Sequence, residues 1–152
     1  MVDYSKDDRR TQPELFARFH SEFNFTVDAA ATQANAQLPR FFDRQTNGLI
    51  QSWRNERVWL NPPYSNLSEW IAKCHNEFEQ GGAELIVALI PANRTEQPFW
   101  HEYVEPYRDC GRGLTTRFIR KRQSFIHPDT GLMGSPLFGV VALVWERTTL
   151  DA

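Results

Sequence analysis

The tetrapeptide Asn61-Pro62-Pro63-Tyr64 combines hydrogen-bond acceptors, two rigid prolines and an aromatic ring. The exocyclic amine of a nucleobase is a poor nucleophile, so methyl transfer to it needs acceptors that polarise its hydrogens and hold the nitrogen in line. The Asn61 side-chain oxygen and the Pro62 carbonyl can accept both hydrogens, and the prolines fix φ. Tyr64 offers a flat face for a base flipped out of a duplex, and such stacking is worth ~1–3 kcal/mol. The tetrapeptide therefore suits methylation of a planar amine.

A motif of four residues also fits a simple turn or a proline-rich ligand segment. Its setting favours the catalytic interpretation. Residues 57–60 (Arg-Val-Trp-Leu) predict a strand directly before it, and the apolar spacing over 67–79 predicts a helix after it. A proline-rich ligand would more often lie in a disordered segment.

The hydrophobic pattern predicts an alternation of helices and strands along the chain. The predicted helices are 13–23, 67–79 (ended by Gly81-Gly82) and 99–104, with a helix-like start at Ala29-Ala30-Ala31. The predicted strands are 25–28, 57–60, 85–90 (stopped by Pro91), 114–119, 124–126 and 138–145. This alternation favours an α/β fold with a mostly parallel central sheet flanked by helices. Ligands of such sheets collect at the carboxyl ends of strands, where Asp28, Asn61 and Pro91 are predicted to lie.

Length and composition limit the other possibilities. The 152 residues fit one domain, and we predict a flexible segment over 1–10 followed by a single domain over 11–148. Cys74 and Cys110 have no metal-ligand spacing, nor have the four histidines, so we expect no metal site and a reduced, cytoplasmic setting. No apolar run is long enough to cross a membrane, and no signal peptide is evident.

The net charge of −2 excludes nucleic-acid binding by overall charge, so any such binding needs a local basic face. Residues 112–122 contain five basic side chains and no acidic one. We predict phosphate contacts from Arg117, Arg120, Lys121 and Arg122. We also predict that Arg94, after the 85–90 strand, and Ser65, after the tetrapeptide, contact the DNA. The alternative is a solvated strand surface with scattered charges.

Several ordered segments together resemble the phage-type DNA N-6-adenine-methyltransferase (Dam-like) family over about residues 11–146. They are 11–16 (TQPELF), 25–30 (FTVDAA), 47–49 with Trp53, 59–65 (WLNPPYS), 90–92 with Thr95, Arg122 with Phe125, and Ser135-Pro136. The resemblance implies a compact Rossmann-like methyltransferase fold and S-adenosylmethionine as methyl donor. It also implies adenine in double-stranded DNA as substrate, in a phage or prophage protein of a bacterial host.

The resemblance also assigns residues to the donor. Asp28, Ala29 and Ala30 would form the donor turn, and Asn61 would border it. Asp43 would bind the ribose hydroxyls, and Asn47 would read the adenine amine of the donor. Thr11 and Pro13 would close the pocket. The donor turn has no glycine, and from the residues alone Asp28 is equally a helix cap and Asp43 a surface acid.

Two other functions stay open at this point. The same tetrapeptide occurs in enzymes that methylate protein glutamine or RNA bases, because all of these acceptors are planar nitrogens. The glycine-free turn also fits a non-catalytic DNA-binding relative. The sequence sets neither the DNA target sequence nor the oligomeric state.

Overall fold

The computed structural model describes residues 13–120 and 139–147. Its helices are α1 (Pro13–Phe23) and α2 (Leu67–Asn76), and its strands are β1 (Val27–Asp28), β2 (Arg57–Leu60), β3 (Leu85–Pro91), β4 (Leu114–Phe118) and β5 (Val140–Glu146). A 3₁₀ turn covers Tyr64–Asn66, and π-helical turns cover Glu77–Gly81 and Trp100–Val104. The elements predicted around these positions are confirmed, with small shifts at their ends. The predicted strand 124–126 and the segment 1–10 lie outside the described residues, and the domain bounds stay a prediction.

The strands of the described part form one five-stranded sheet in the order β1-β2-β3-β5-β4. β1 pairs with β2, and β2 with β3, in parallel. β5 is antiparallel to both β3 and β4, so β4 runs in the same direction as the first three strands. The α/β class is confirmed, while parallel pairing between the named strands is confined to β1, β2 and β3.

The sheet buries both of its faces because side chains alternate along each strand. Val58, Leu60 and Ile86 point to the core under α2, whereas Trp59 and Val87 point to the core under α1. On the α1 side, the ring of Phe16 meets that of Trp59 edge to face with centroids 5.1 Å apart. Every residue of β3 is buried, as expected for a strand covered on both faces.

The helix expected from Ala29-Ala30-Ala31 is wrong, and the chain there follows an irregular path. The Ala29 N–H donates to the Trp59 carbonyl at 2.9 Å, and the Ala31 N–H donates to the Phe42 carbonyl at 3.0 Å. These bonds to distant parts of the chain fix the backbone of the segment, and this tertiary context overrides the local helical propensity of alanine. A loop therefore follows β1 at the carboxyl edge of the sheet.

The prediction that Gly81-Gly82 ends the second helix is confirmed. α2 passes into the π-helical turn and ends at Gly82, which has φ 82° and ψ 19°. That left-handed conformation favours glycine because it lacks a Cβ atom. Within the described ranges, no helix has the length and apolar character needed to cross a membrane.

Candidate active site

A cavity of about 250 Å³ opens where β1 and β2 end. Its wall includes seven of the residues predicted for the donor and the reaction: Asp28, Ala29, Ala30, Asp43, Asn47, Asn61 and Pro63. The two strands are parallel neighbours, with Asp28 opposite Trp59, so the residues after both ends meet at one edge of the sheet. The fold thus brings together predicted residues up to 35 positions apart in the sequence (28 and 63).

Asp28 is the buried charged residue of this cavity, with 3% of its surface exposed. Its Oδ2 atom accepts a hydrogen bond from the Gln37 N–H at 3.0 Å. Its Oδ1 atom is buried and accepts no hydrogen bond from the described part of the chain. Burial raises the pKa of Asp28 to about 7, against the effect of hydrogen bonds from the backbone N–H groups of Gln37 and Ala30. A buried acceptor without a hydrogen bond costs folding free energy, so a ligand that donates a hydrogen bond to Oδ1 would remove this cost and bind more tightly.

The tetrapeptide begins directly after β2, and its four residues lie at different depths. Asn61 and Pro63 line the cavity, and Asn61 is half-buried. Pro62 is buried and Tyr64 is half-buried against both hydrophobic cores, and neither is part of the described cavity wall. Pro63 has φ −57° and ψ 128°, an extended conformation that turns the chain into the 3₁₀ turn before α2. The amide of Asn61 is therefore placed at the border between the cavity and the sheet edge.

Asp43 and Asn47 belong to one turn on the far side of the cavity. The Thr46 N–H donates to Asp43 Oδ1 at 2.8 Å, and the Thr46 hydroxyl lies 3.0 Å from the same atom. The hydrogen bond from the Thr46 backbone lowers the pKa of Asp43 and keeps it charged. Asn47 has φ 55°, and its Oδ1 accepts the Leu49 N–H at 3.1 Å. Both side chains are held by local bonds at the cavity wall.

Gly48 places this turn against the loop after β1. A Cβ atom at position 48 would lie 2.1 Å from the Ala29 carbonyl oxygen and 3.2 Å from the ring of Trp70. Glycine alone allows this approach, although the sequence indicated only a turn here. The cavity wall also contains three aromatic side chains for which the sequence predicted no role at the site, Phe42, Trp59 and Trp70. The position of Trp70, one turn into the helix after the tetrapeptide, could have indicated that it lies at the site. The placement of Phe42 at the cavity depends on the path of the loop, which the sequence pattern does not show.

The basic residues predicted to contact DNA differ in their surroundings. Arg117 forms two hydrogen bonds to Glu22, at 2.8 and 2.7 Å, and its guanidinium lies 5.1 Å from the centre of the Phe23 ring. It thus joins β4 to α1. Arg94 follows β3, and its Nε atom is buried without an acceptor in the described part of the chain. Arg120 and Ser65 are exposed. Their roles in DNA binding stay predictions.

The remaining predicted residues complete this comparison. Thr11, Lys121 and Arg122 lie outside the described residues. Pro13 is exposed at the first position of α1, outside the described cavity wall, and its role stays a prediction. In the ranges 13–120 and 139–147, His, Cys, Asp and Glu form no group of three or more that could hold a metal ion.

Relatives of this chain carry one description. The sequence profile described as DNA N-6-adenine-methyltransferase (Dam) matches residues 1–148. A DNA N-6-adenine-methyltransferase of Escherichia phage T1 is 32% identical over 95 residues, which are 61% of this chain and 39% of that protein. One of Haemophilus phage HP1 (strain HP1c1) is 31% identical over 51 residues, which are 34% of this chain and 30% of that protein. The matched stretches thus span less than two thirds of either relative.

The fold also has a counterpart among solved structures. A protein of Pyrococcus horikoshii assigned as an RNA methyltransferase superposes with a TM-score of 0.53 at 10% identity. The match covers 97% of this chain and 90% of that one, so the two share the methyltransferase fold. Since the family profile covers nearly the whole sequence, the chain belongs to the DNA N-6-adenine-methyltransferase (Dam) family.

Proposed function

We propose that this protein transfers a methyl group from S-adenosylmethionine to the N6 amine of adenine in double-stranded DNA. The observation that carries the proposal is the meeting of Asp28 and Asn61 at one cavity, from the ends of two adjacent parallel strands. One side chain is a buried acid suited to a cationic donor, and the other is an amide suited to the acceptor amine. Membership of the family supports the same reaction.

The residues of the cavity fit the donor. When bound, S-adenosylmethionine supplies an electrophilic methyl group on a sulfonium. Asp28 Oδ1 is a buried acceptor that receives no hydrogen bond from the described chain. It can therefore accept a hydrogen bond from a cationic group such as the ammonium of S-adenosylmethionine. Asp43 can accept from ribose hydroxyls through Oδ2, which takes no part in the two Thr46 bonds. Asn47 Oδ1 has a second lone pair beside the one that accepts from Leu49, and can accept from the adenine amine.

The tetrapeptide would handle the acceptor base. Asn61 Oδ1 and the Pro62 carbonyl would accept the two amine hydrogens and thereby localise the nitrogen lone pair. The prolines limit the motion of this carbonyl, so little reorganisation is needed at the moment of transfer. Tyr64 would stack on the flipped base with the part of its ring that the cores leave exposed.

The DNA would approach over the carboxyl edge of the sheet. Arg120 follows β4 at this edge and, within the described residues, forms no ion pair. Arg94 follows β3 at the same edge and has a buried Nε that a phosphate oxygen could satisfy. Ser65 lies exposed beside the tetrapeptide. Phosphate contacts from Lys121 and Arg122, outside the described residues, stay predictions from the sequence. The ion pair of Arg117 with Glu22 competes with a phosphate contact.

The test is incubation with tritiated S-adenosylmethionine and unmethylated duplex DNA, followed by nucleoside analysis. We expect label in N6-methyladenine, and a loss of roughly hundredfold or more in Asn61→Ala, as for removal of one group that stabilises the transition state. Asn76→Ala is the matched control, because Asn76 is an exposed amide at the end of α2 outside the cavity. An Asn61→Ala variant with normal turnover would contradict the assignment.

Parallel reactions with RNA and with protein separate the alternative acceptors. Label in RNA or in glutamine, with none in DNA, would place this chain among methyltransferases of another planar nitrogen. Donor binding by calorimetry completes the set. Absence of donor binding by the folded protein would identify a non-catalytic relative.

A further inference from the structure

Trp53 lies behind the cavity wall and is completely buried, with 0% of its surface exposed. It is not part of the described cavity wall, so it cannot act by touching a ligand there. Its indole Nε1–H donates to the Gly48 carbonyl oxygen at 3.1 Å. Its backbone N–H donates to Glu77 Oε2, also at 3.1 Å. Trp53 therefore connects the turn that carries Gly48 to the turn that follows α2.

The Gly48 carbonyl, which accepts the hydrogen bond from Trp53, belongs to a residue whose position affects the width of the cavity. Gly48 lies so close to the Ala29 carbonyl that an added Cβ atom would be 2.1 Å from its oxygen. Ala29, Gly48 and Leu49 all line the cavity. A shift of Gly48 away from this contact would change the width of the cavity, and a shift towards it is sterically blocked. The indole hydrogen bond holds the position between these limits.

Lys73 provides a second attachment beside Trp53. Its Nζ atom donates to the Gln51 carbonyl and to Glu77 Oε1, both at 2.6 Å, and lies 5.3 Å from the centre of the Trp53 ring. The side chains of Lys73 and Glu77 are each only 14% exposed, so solvent screens this pair less than a surface pair. Since α2 begins just after the tetrapeptide, the same helix supports both the donor side and the acceptor side of the cavity.

We propose that Trp53 is a positioning residue for the donor pocket: its indole N–H holds the segment 47–49 at the distance from Ala29 that donor binding requires. The identity of the donor rests on the proposed function, whereas the position of the segment does not. Trp53 acts through Gly48 and leaves the acceptor amide of Asn61 in place. Its loss should therefore weaken donor binding and spare the chemical step.

The test replaces Trp53 by Phe, which keeps an aromatic ring and removes the indole N–H that bonds to Gly48. We expect the donor Kd and KM to rise roughly fivefold, as for the loss of one neutral hydrogen bond, with kcat at saturating donor within about twofold of wild type. Trp100→Phe is the matched control. Trp100 is also buried, and its Nε1–H donates to Glu105 Oε2 at 2.9 Å away from the cavity, so its donor Kd should not change.

Hydrogen exchange of the protein without bound S-adenosylmethionine gives a second measurement. The amides of residues 47, 49 and 50 all donate within the turn held by Trp53. In Trp53→Phe their exchange should accelerate roughly threefold or more, while that of β3 stays unchanged. Wild-type exchange in this segment, or a fall in kcat at an unchanged donor Kd, would overturn the proposal. If the wild-type protein bound no donor, the proposed function would fail, and the exchange rates would still decide the role of Trp53.

Discussion

Asp28 and Asn61 border one cavity from the ends of adjacent parallel strands, yet the first is almost completely buried and the second is only half-buried. This difference in depth orders the site along one direction. A ligand beside Asp28 is enclosed by the loop after β1, whereas a group beside Asn61 can arrive from outside. Such an order suits a reaction in which a small donor binds first and a base is then inserted from a large substrate.

The buried carboxyl of Asp28 should make stability depend on pH. Its pKa is about 7 in the folded protein and 3.8 in its usual state, so between these values the folded state holds a proton that the unfolded state lacks. The free energy of unfolding should therefore fall as pH rises from about 4 to about 7, by on the order of 1–4 kcal/mol. Denaturant titrations at several pH values measure this fall. Asp28→Asn should flatten this part of the profile, and an unchanged profile would show that another group is responsible.

Donor affinity should follow the opposite trend. A cationic group of the donor would pair best with the ionised Asp28, so the donor Kd should decrease as pH rises through about 7. Binding below that pH should release a proton. Calorimetry in two buffers of different ionisation enthalpy measures the proton directly. Binding with no proton release at pH 6 would mean that the carboxyl stays protonated beside the donor.

Gly48→Ala should be among the most damaging single-methyl changes at this site. The added Cβ would meet a backbone oxygen, which cannot rotate away as a side chain could. We expect a loss of roughly 1–3 kcal/mol in stability and at least about a tenfold rise in the donor Kd. Gly139→Ala is the control, because its Cβ would reach only Ala92 at 4.0 Å. Equal behaviour of the two variants in thermal unfolding would contradict the close contact.

Tyr64 should be replaceable by Phe but not by Ala. Its ring packs against both cores, so Tyr64→Ala loses stability as well as the face for base stacking. The stacking part is worth ~1–3 kcal/mol and should appear as a higher KM for DNA at a temperature where the variant is folded. Tyr64→Phe keeps the ring and should retain turnover. Equal losses in both variants would assign the effect to the hydroxyl group.

Arg117 and Arg120 should separate into two classes of variant. Arg117→Ala removes the ion pair with Glu22, in which the side chains are 40% and 48% exposed, and should cost about 0.2–1 kcal/mol of stability. Arg120→Ala should leave stability unchanged and reduce the salt dependence of DNA binding by about one unit of slope. Binding measured from low to moderate salt distinguishes them. A reduced slope for Arg117→Ala alone would reverse the two roles.

Local patterns in the sequence were sufficient for most elements of the fold. The continuous apolar run of β3 and the spacing of Leu15, Phe16 and Phe19 in α1 each report burial directly, because burial follows the period of the element. The tetrapeptide was placed correctly at a strand end for the same reason. These patterns show which face of each helix or strand is buried, and this can be read without knowing which distant residues cover that face.

Features set by distant partners were missed. The Ala29–Ala31 segment has helical propensity, but its backbone is bonded to Trp59 and Phe42, which come from other parts of the chain. The ion pair of Arg117 with Glu22, which is 95 residues away in sequence, has no signal in the local pattern, and the role of Arg117 in DNA binding stays a prediction. Both outcomes depend on loop paths and strand order, which hydrophobic periodicity does not encode.

The position of β5 between β3 and β4 has a consequence for the order of folding. β5 comes after both of these strands in the chain and hydrogen-bonds to each. Within the described sheet, β4 is therefore joined to β3 only through β5. During synthesis, the first four strands would therefore emerge with β3 still an open edge, exposed to pairing with other chains. Arrival of residues 140–146 closes that edge and completes the sheet in a single step.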